Sequence, residues 1–442
     1  MDKFKKPFVT LNMGIGHETY LESLFFPRDI RETYSQNRIF VGWRREYTWE
    51  RFGTKGRWYT SNKKEGKRTY IDTSKSFRML ILGETGSGKT VLLRALLSRL
   101  YKSNFAVCHL SDIKNEMRSN WKPVQEEFWD GLKEKERPEP IPTQMFVPIF
   151  FKKFYNRLPD HTEWIQFSMN ELSENDLLTL FGVEDKDIQA DILKRVYSAI
   201  QHNKINTFDE MRAFIQALPS TEVHSGSKRA LLSKITDLQS KNILGTEYAQ
   251  DIVPLLNGYI DSEGNEIRRA ISFNCRHRKQ LAKEYLQAYM AVIIEKLREA
   301  RRERRIKQPL FFFMDEAHAF IPNNSNPACK QVVIDSINED RQYGISWILS
   351  TQYPSQIPLD IVKQMQYYFL PQNIKPDIMK DILKMIGIYR ADDWRYDKWL
   401  QLKDKMKRYE WLMIDNRSSH SGSRFYVLKI ATPLCRHISE IR

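Results

Sequence analysis

The sequence predicts an α/β fold: a mainly parallel sheet with helices on both faces, interrupted by an all-helical insert and preceded by a short β-rich segment. Three observations predict it. A glycine-rich loop, Gly83 to Thr90, sits between an apolar run (Met79, Leu80, Ile81, Leu82) and a helix-like run, Val91 to Leu100. Apolar runs and helical periods then alternate along most of the chain, the pattern that builds parallel strands joined by crossover helices. Between residues 170 and 250 that alternation stops and only helical periods remain.

The loop is a complete G-x-x-x-x-G-K-[ST] motif: Gly83, Glu84, Thr85, Gly86, Ser87, Gly88, Lys89, Thr90. Its glycines let successive backbone N–H groups turn inward around phosphate oxygens, at the start of a helix whose dipole favours anions. Lys89 is placed to reach the β- and γ-phosphates, and the Thr90 hydroxyl to bind Mg²⁺. A chance match in a glycine-rich turn would not also have a strand before it and a helix after it. We therefore expect these eight residues to bind ATP with Mg²⁺, and the sheet to be the core of a P-loop NTPase of the RecA-like kind.

The elements follow in order. Strand Phe77–Leu82 leads through the loop into helix Lys89–Leu100, and a second apolar run, Phe105–Leu110, ends at Ser111-Asp112. Ser173-Glu174-Asn175-Asp176 has the form of a capping box opening the helical insert. Ile188, Ile192, Val196 and Ile200 then repeat along one helix face. Thr207 caps a helix that Pro219 ends, and another starts near Ser227. Strand Ala270–Phe273, a long helix to about Arg305, strand Leu310–Met314, a helix near Gln331–Arg341 and strand Ile345–Leu349 complete the alternation. Tyr409–Asp415 and Arg424–Ile430 flank a Ser/Gly-rich turn as a β-hairpin. The expected division is an N-terminal basic and aromatic segment (1–75), a first core part (76–169), the insert (170–250) and a second core part (251–442).

The chain has 442 residues, 41% of them hydrophobic, enough to bury sizeable cores. Its formal net charge of +15 suits a polyanionic partner, nucleic acid or an anionic surface, or else a merely solvated lysine-rich exterior. Arg51, Lys55, Arg57, Lys63, Lys64, Lys67 and Arg68 interleave with Trp58, Tyr59 and Tyr70. Such a segment suits phosphate contacts and base stacking, or equally a hairpin with a lysine turn near Asn62–Gly66. The four cysteines form no C-x-x-C pair, which argues against zinc and disulfides and suits a reducing, cytoplasmic setting. No apolar stretch reaches the ~20 residues of a membrane span.

Phe311-Phe312-Phe313-Met314-Asp315-Glu316 reads as a buried strand ending in two acids. Asp315 is expected in the Mg²⁺ shell and Glu316 as the base that orients and deprotonates the attacking water. With Ala317 and His318 the acids spell DEAH, a helicase signature, but the distance from Lys89 and the absence of S-A-T and Q-x-x-R-x-G-R segments oppose that reading. His318 is read as incidental. Asp340-Arg341-Gln342-Tyr343-Gly344 then runs into an apolar strand and Thr351-Gln352-Tyr353-Pro354-Ser355, which places the Gln352 amide to sense a γ-phosphate.

In these segments the chain resembles the HerA/FtsK superfamily of ring-forming DNA-pumping ATPases. The resemblance spans residues 70–435 and is closest to the HerA branch, through Tyr70-Ile71-Asp72, Asp112 with Glu116, and Leu172-Ser173-Glu174-Asn175-Asp176-Leu177. It implies a homo-hexamer with ATP at subunit interfaces, double-stranded DNA in the central channel, and Arg341 as a finger acting on the neighbouring subunit. Arg78 corresponds loosely to a second such arginine, one position off the usual pattern. The structural alternative for Arg341 is an ordinary pair with Asp340 or Glu339. The archaeal repair members carry an N-terminal β-barrel that docks a nuclease, and 75 residues are short for it. Three readings follow: a double-stranded DNA translocase with a nuclease, capsid or transfer-machine partner; a soluble ATPase powering protein or pilus export; and a nucleotide-dependent switch, against which Glu316 and Arg341 both count.

Overall fold

The computed structural model describes residues 38–436, apart from 46, 53–54, 61–66, 127–135, 220, 222, 261–262, 265, 281–282, 388–393 and 418–423. Twelve strands join in one sheet. Numbered within that sheet they are β1 (Arg38–Arg45), β2 (Arg68–Asp72), β3 (Arg78–Leu82), β4 (Ala106–Asp112), β5 (Thr143–Pro148) and β6 (Thr162–Ile165). They continue with β7 (Ala270–Asn274), β8 (Leu310–Met314), β9 (Ile345–Thr351), β10 (Tyr367–Pro371), β11 (Glu410–Asp415) and β12 (Arg424–Ile430).

The spatial order is β2-β1-β12-β11-β10-β3-β9-β8-β4-β7-β5-β6. From β10 to β6 every neighbouring pair is parallel. From β2 to β10 every pair is antiparallel. The parallel strands read as continuous apolar runs because both their faces are covered. Every residue of β8 and β9 is buried. The antiparallel flank joins the two ends of the described chain: Gly42 pairs with Ile430 and Trp43 with Lys429.

On one face of the sheet lies α1 (Lys89–Lys102), whose Leu92, Leu93, Leu96, Leu97 and Leu100 share a core with Met79, Ile81, Val107 and Phe313. The other face carries four helices of the 170–250 region and two more. These are α2 (Glu174–Phe181), α3 (Ile188–Gln201), α4 (Phe208–Ala217), α5 (Ser225–Ser240), α6 (Lys283–Arg302) and α7 (Ala328–Glu339). They belong to the same continuous core as Leu80, Phe312 and Trp347 of the sheet. Local chemistry sets the helix starts. Ser173 and Asp176 form the reciprocal capping box expected of them, and Thr207 caps α4 with Glu210. Ile192, Val196 and Ile200 are buried, but Ile188, expected on the same face, is 73% exposed in the first turn of α3.

One further expectation changes. The lysine run does not turn a hairpin, because the strands on either side of it pair elsewhere. Lys55–Thr60 pairs with Tyr47–Phe52, whereas β2 pairs with β1. The turn itself, 61–66, lies outside the described residues, as do the N-terminal 37 and the Ser/Gly-rich turn 418–423. Strands β1, β5, β6 and β10 had no distinct signal in the sequence, yet β10 borders the phosphate-loop strand directly. Among the described residues no helix is long and apolar enough to cross a membrane, and all four cysteines are buried thiols.

Candidate functional site

Parallel strands all deliver their C-terminal ends to one edge of the sheet, and the loops leaving β3, β8 and β9 meet there. Strand β3 ends in the phosphate loop. Gly83 and Gly88 both adopt left-handed or mirror backbone angles (φ 146° and 92°), open to glycine but not to bulkier residues. A Cβ on Gly83 would strike the Ser87 side chain and Pro371 of β10, so the loop is held against its neighbour strand by the absence of side chain there. Gly86 and Thr85 are exposed at the tip, Glu84 pairs with Lys375 at 2.8 Å, and Thr90 is half-buried in the first turn of α1.

Lys89 is buried, and its ammonium donates to the Gly83 carbonyl of its own loop. Burial lowers its pKa, while Glu316 and Asp315 act in the opposite sense. Asp315 accepts from the Ser350 hydroxyl on β9 and from the Glu316 backbone N–H at 3.0 Å. Its carbonyl accepts from Ser111 on β4 at 2.7 Å. Glu316 leaves the strand in a left-handed conformation (φ 48°), a strained position for a non-glycine residue. That twist turns its carboxylate toward β9, where Gln352 Nε2 donates to Oε1 at 2.5 Å. The other oxygen, Oε2, is buried without a hydrogen-bond donor.

Strand β9 lies between β3 and β8, so the acids are one strand removed from the phosphate-loop strand rather than beside it. The end of β9 thus touches both sides, Thr351 through its carbonyl with the Gly83 N–H at 3.3 Å and Gln352 through its amide with Glu316. A hard cation such as Mg²⁺ takes oxygen ligands, and the Thr90 hydroxyl with the Asp315 carboxylate supplies that donor chemistry. The unpartnered buried oxygen of Glu316 and the buried Ser87 hydroxyl, also without a partner, fit a site that a polar ligand completes.

His318 is not incidental to this cluster. Its Nδ1 stands 3.1 Å from the Thr351 hydroxyl and 3.5 Å from Glu316 Oε2, and burial lowers its pKa. Ser350 and Ser111 were missed by sequence reasoning, because small polar residues on apolar strands carry no motif, and His318 was set aside as incidental. Asp112 is structural: its two oxygens accept from the backbone N–H groups of Glu116 and Met117, each at 2.9 Å.

Arg341 lies elsewhere. It sits on the 3₁₀ turn Asp340–Tyr343 that precedes β9, at the opposite edge of the sheet. The seven residues of β9 separate it from Gln352 by about 20 Å at ~3.3 Å per residue. Arg78, the first residue of β3, shares that edge, and its pKa is lowered by burial and then by Arg341. Asp340 and Glu339 do not hold Arg341. Fully buried Asp340 is gripped by Arg298 and Arg302 of α6, and Glu339 pairs with Arg302 at 2.9 Å. Among the described residues Arg341 makes no ion pair; it is exposed and lines two adjoining clefts of about 740 and 440 Å³. Helix α6 spans the distance between the edges, with Gln287 donating to the Ala319 carbonyl after the acids at 3.0 Å and Arg298 and Arg302 on Asp340.

Residues 60–267 match the family model for the central domain of the helicase HerA. Over those residues the chain is similar to the HerA central domain. Two curated relatives are named DNA double-strand break repair helicase HerA. That of Sulfolobus acidocaldarius is 23% identical over 48% of this chain and 45% of its own length. That of Sulfurisphaera tokodaii is 19% identical over the same shares. The chain thus spans less than half the length of the curated relatives it matches. Its fold is similar to that of VirB4 of Thermoanaerobacter pseudethanolicus, with a TM-score of 0.52 at 13% identity, over 91% of this chain and 98% of that one.

Proposed function

We propose that the chain is an ATP-driven, ring-forming translocase of double-stranded DNA. The observation that carries the reading is the split between the two sheet edges. Phosphate loop, Asp315, Glu316 and Gln352 converge on one edge, while Arg341 is exposed on the other, out of reach of its own loop. A triphosphate held at the loop would take Lys89 and the loop N–H groups on its β- and γ-oxygens. Thr90 and Asp315 would hold Mg²⁺, which supplies charge neutralisation at those oxygens. Glu316 would accept the proton of the attacking water through Oε2, leaving Oε1 to Gln352, which reports whether the γ-phosphate is present. Arg341 would complete the site of a neighbouring copy, so hydrolysis needs a ring.

The DNA half of the reading rests on the HerA relatives and on the net charge of +15, which suits a polyanion in a channel. Duplex DNA should stimulate ATP hydrolysis, and binding should weaken steeply with salt irrespective of sequence as counterions are released. Hydrolysis unaffected by duplex DNA would transfer the reading to a motor for protein export. Binding that stayed flat across a salt titration would remove the phosphate-tracking channel.

A further inference from the structure

We propose that Tyr409 is the stacking platform for the base of the bound nucleotide. The inference rests on the phosphate loop holding the triphosphate. The acids and Gln352 lie on the β9–β8 side of β3, which fixes the side that the γ-phosphate faces. The nucleoside must then leave on the other side, toward β10 and β11. There β11 runs antiparallel to β10, pairing Trp411 with Pro371, so the start of β11 comes to the same edge as the loop. A methyl placed on Gly88 would stand 3.8 Å from the Trp411 indole and 3.9 Å from the Tyr409 ring.

The two aromatics differ in kind. Trp411 is 2% exposed and belongs to the core beneath the loop. Tyr409 is 55% exposed and is held with φ at 69°, in the left-handed region that tyrosine rarely occupies. Core packing does not account for an exposed ring in a strained backbone. The Arg408 guanidinium stands 4.8 Å from the ring centroid, covering a face by cation–π contact. A purine on the ring would extend this stack, since aromatic stacking tolerates any base and requires only a flat face at the right height.

The test is equilibrium binding of ATP and of inorganic tripolyphosphate by the full chain, for wild type, Tyr409→Phe and Tyr409→Gly. Glycine suits a positive φ, so the Tyr409→Gly backbone is relieved rather than strained. ATP affinity should fall about tenfold in Tyr409→Gly and stay near wild type in Tyr409→Phe, with tripolyphosphate affinity the same in all three. Unchanged ATP affinity in Tyr409→Gly, or an equal loss for both ligands, overturns the platform. Wild-type protein that binds ATP no better than Lys89→Ala does would instead overturn the phosphate-loop reading beneath it, and the platform with it.

Discussion

The two edges of the parallel sheet are built from the same strands and differ in nearly everything else. The C-terminal edge is enclosed and layered: a buried lysine, two carboxylates, an amide and an imidazole cluster there, with Gln352 bonded to Glu316 and His318 to Thr351. The N-terminal edge is open and cationic, with Arg341 facing solvent and Arg78 beside it. The first has acceptors and a phosphate cradle but no arginine of its own finger motif; the second has the arginine and nothing for it to act on. On the proposed reading each edge is half of a site, and a second copy supplies the other half, because a rigid sheet cannot bring its own edges together.

The largest expected effect breaks the enclosed edge. Lys89→Ala should abolish hydrolysis and weaken nucleotide binding, because it removes the cation facing the β/γ-phosphates. Glu316→Gln should bind ATP as wild type and lose turnover by about 10²–10⁴-fold, since geometry survives while the base is lost. Turnover near wild type in Glu316→Gln, measured by phosphate release, would remove Glu316 from the chemistry.

Breaking the open edge should look different. Arg341→Ala should bind ATP normally and hydrolyse about 10³-fold more slowly. Mixing it with Glu316→Gln should restore activity, because an interface can combine an intact finger with intact acids. Mixtures no more active than their components would show that both halves act within one chain. Asp340→Ala leaves Arg298 and Arg302 without their buried partner and should cost about 3 kcal/mol of stability, read from denaturant unfolding. It should also displace the finger, so Glu316→Gln that also carries Asp340→Ala should complement Arg341→Ala less well than Glu316→Gln alone.

How much of this was legible in the sequence depends on whether a residue belongs to a motif. The phosphate loop, the strand Leu310–Met314 and the strand from Ile345 were read where they occur, since spacing and apolar runs fix them. Strand β10 escaped because Tyr367–Pro371 is short and flanked by no crossover signal, although its Pro371 abuts the loop. His318 was set aside as part of a misleading tetrapeptide, and only the turn after Glu316 shows it against Thr351. The grip of α6 on Asp340 joins residues from different elements, and no local pattern announces such a pair.

The smallest expected effect separates the edges by pH. Arginines do not titrate in the physiological range, so only the enclosed edge should respond to mild acid. His318 faces Glu316, Arg278, Lys89 and Asp315, and burial keeps its folded pKa below the ordinary 6.5. The unfolded chain therefore binds more protons, and this stabilisation is present above about pH 6.5 and lost as the pH falls toward the lowered value. His318→Asn should flatten the decline of stability across that interval relative to wild type. Identical slopes would mean that His318 carries its proton equally in both states.

The pairing of β1 with β12 has a consequence for synthesis. Strand β1 leaves the ribosome well before β12, and at typical elongation rates they emerge roughly half a minute apart. During that interval β1, with Ile39, Phe40 and Val41 destined for burial, has only β2 along one side. A nascent chain thus carries an open strand edge until β12 is made, and such edges invite pairing with other chains. Stalled or truncated products that end before Arg424 should be the aggregating species in the cell, and the demand for chaperones should last until β12 emerges rather than peak at the phosphate loop.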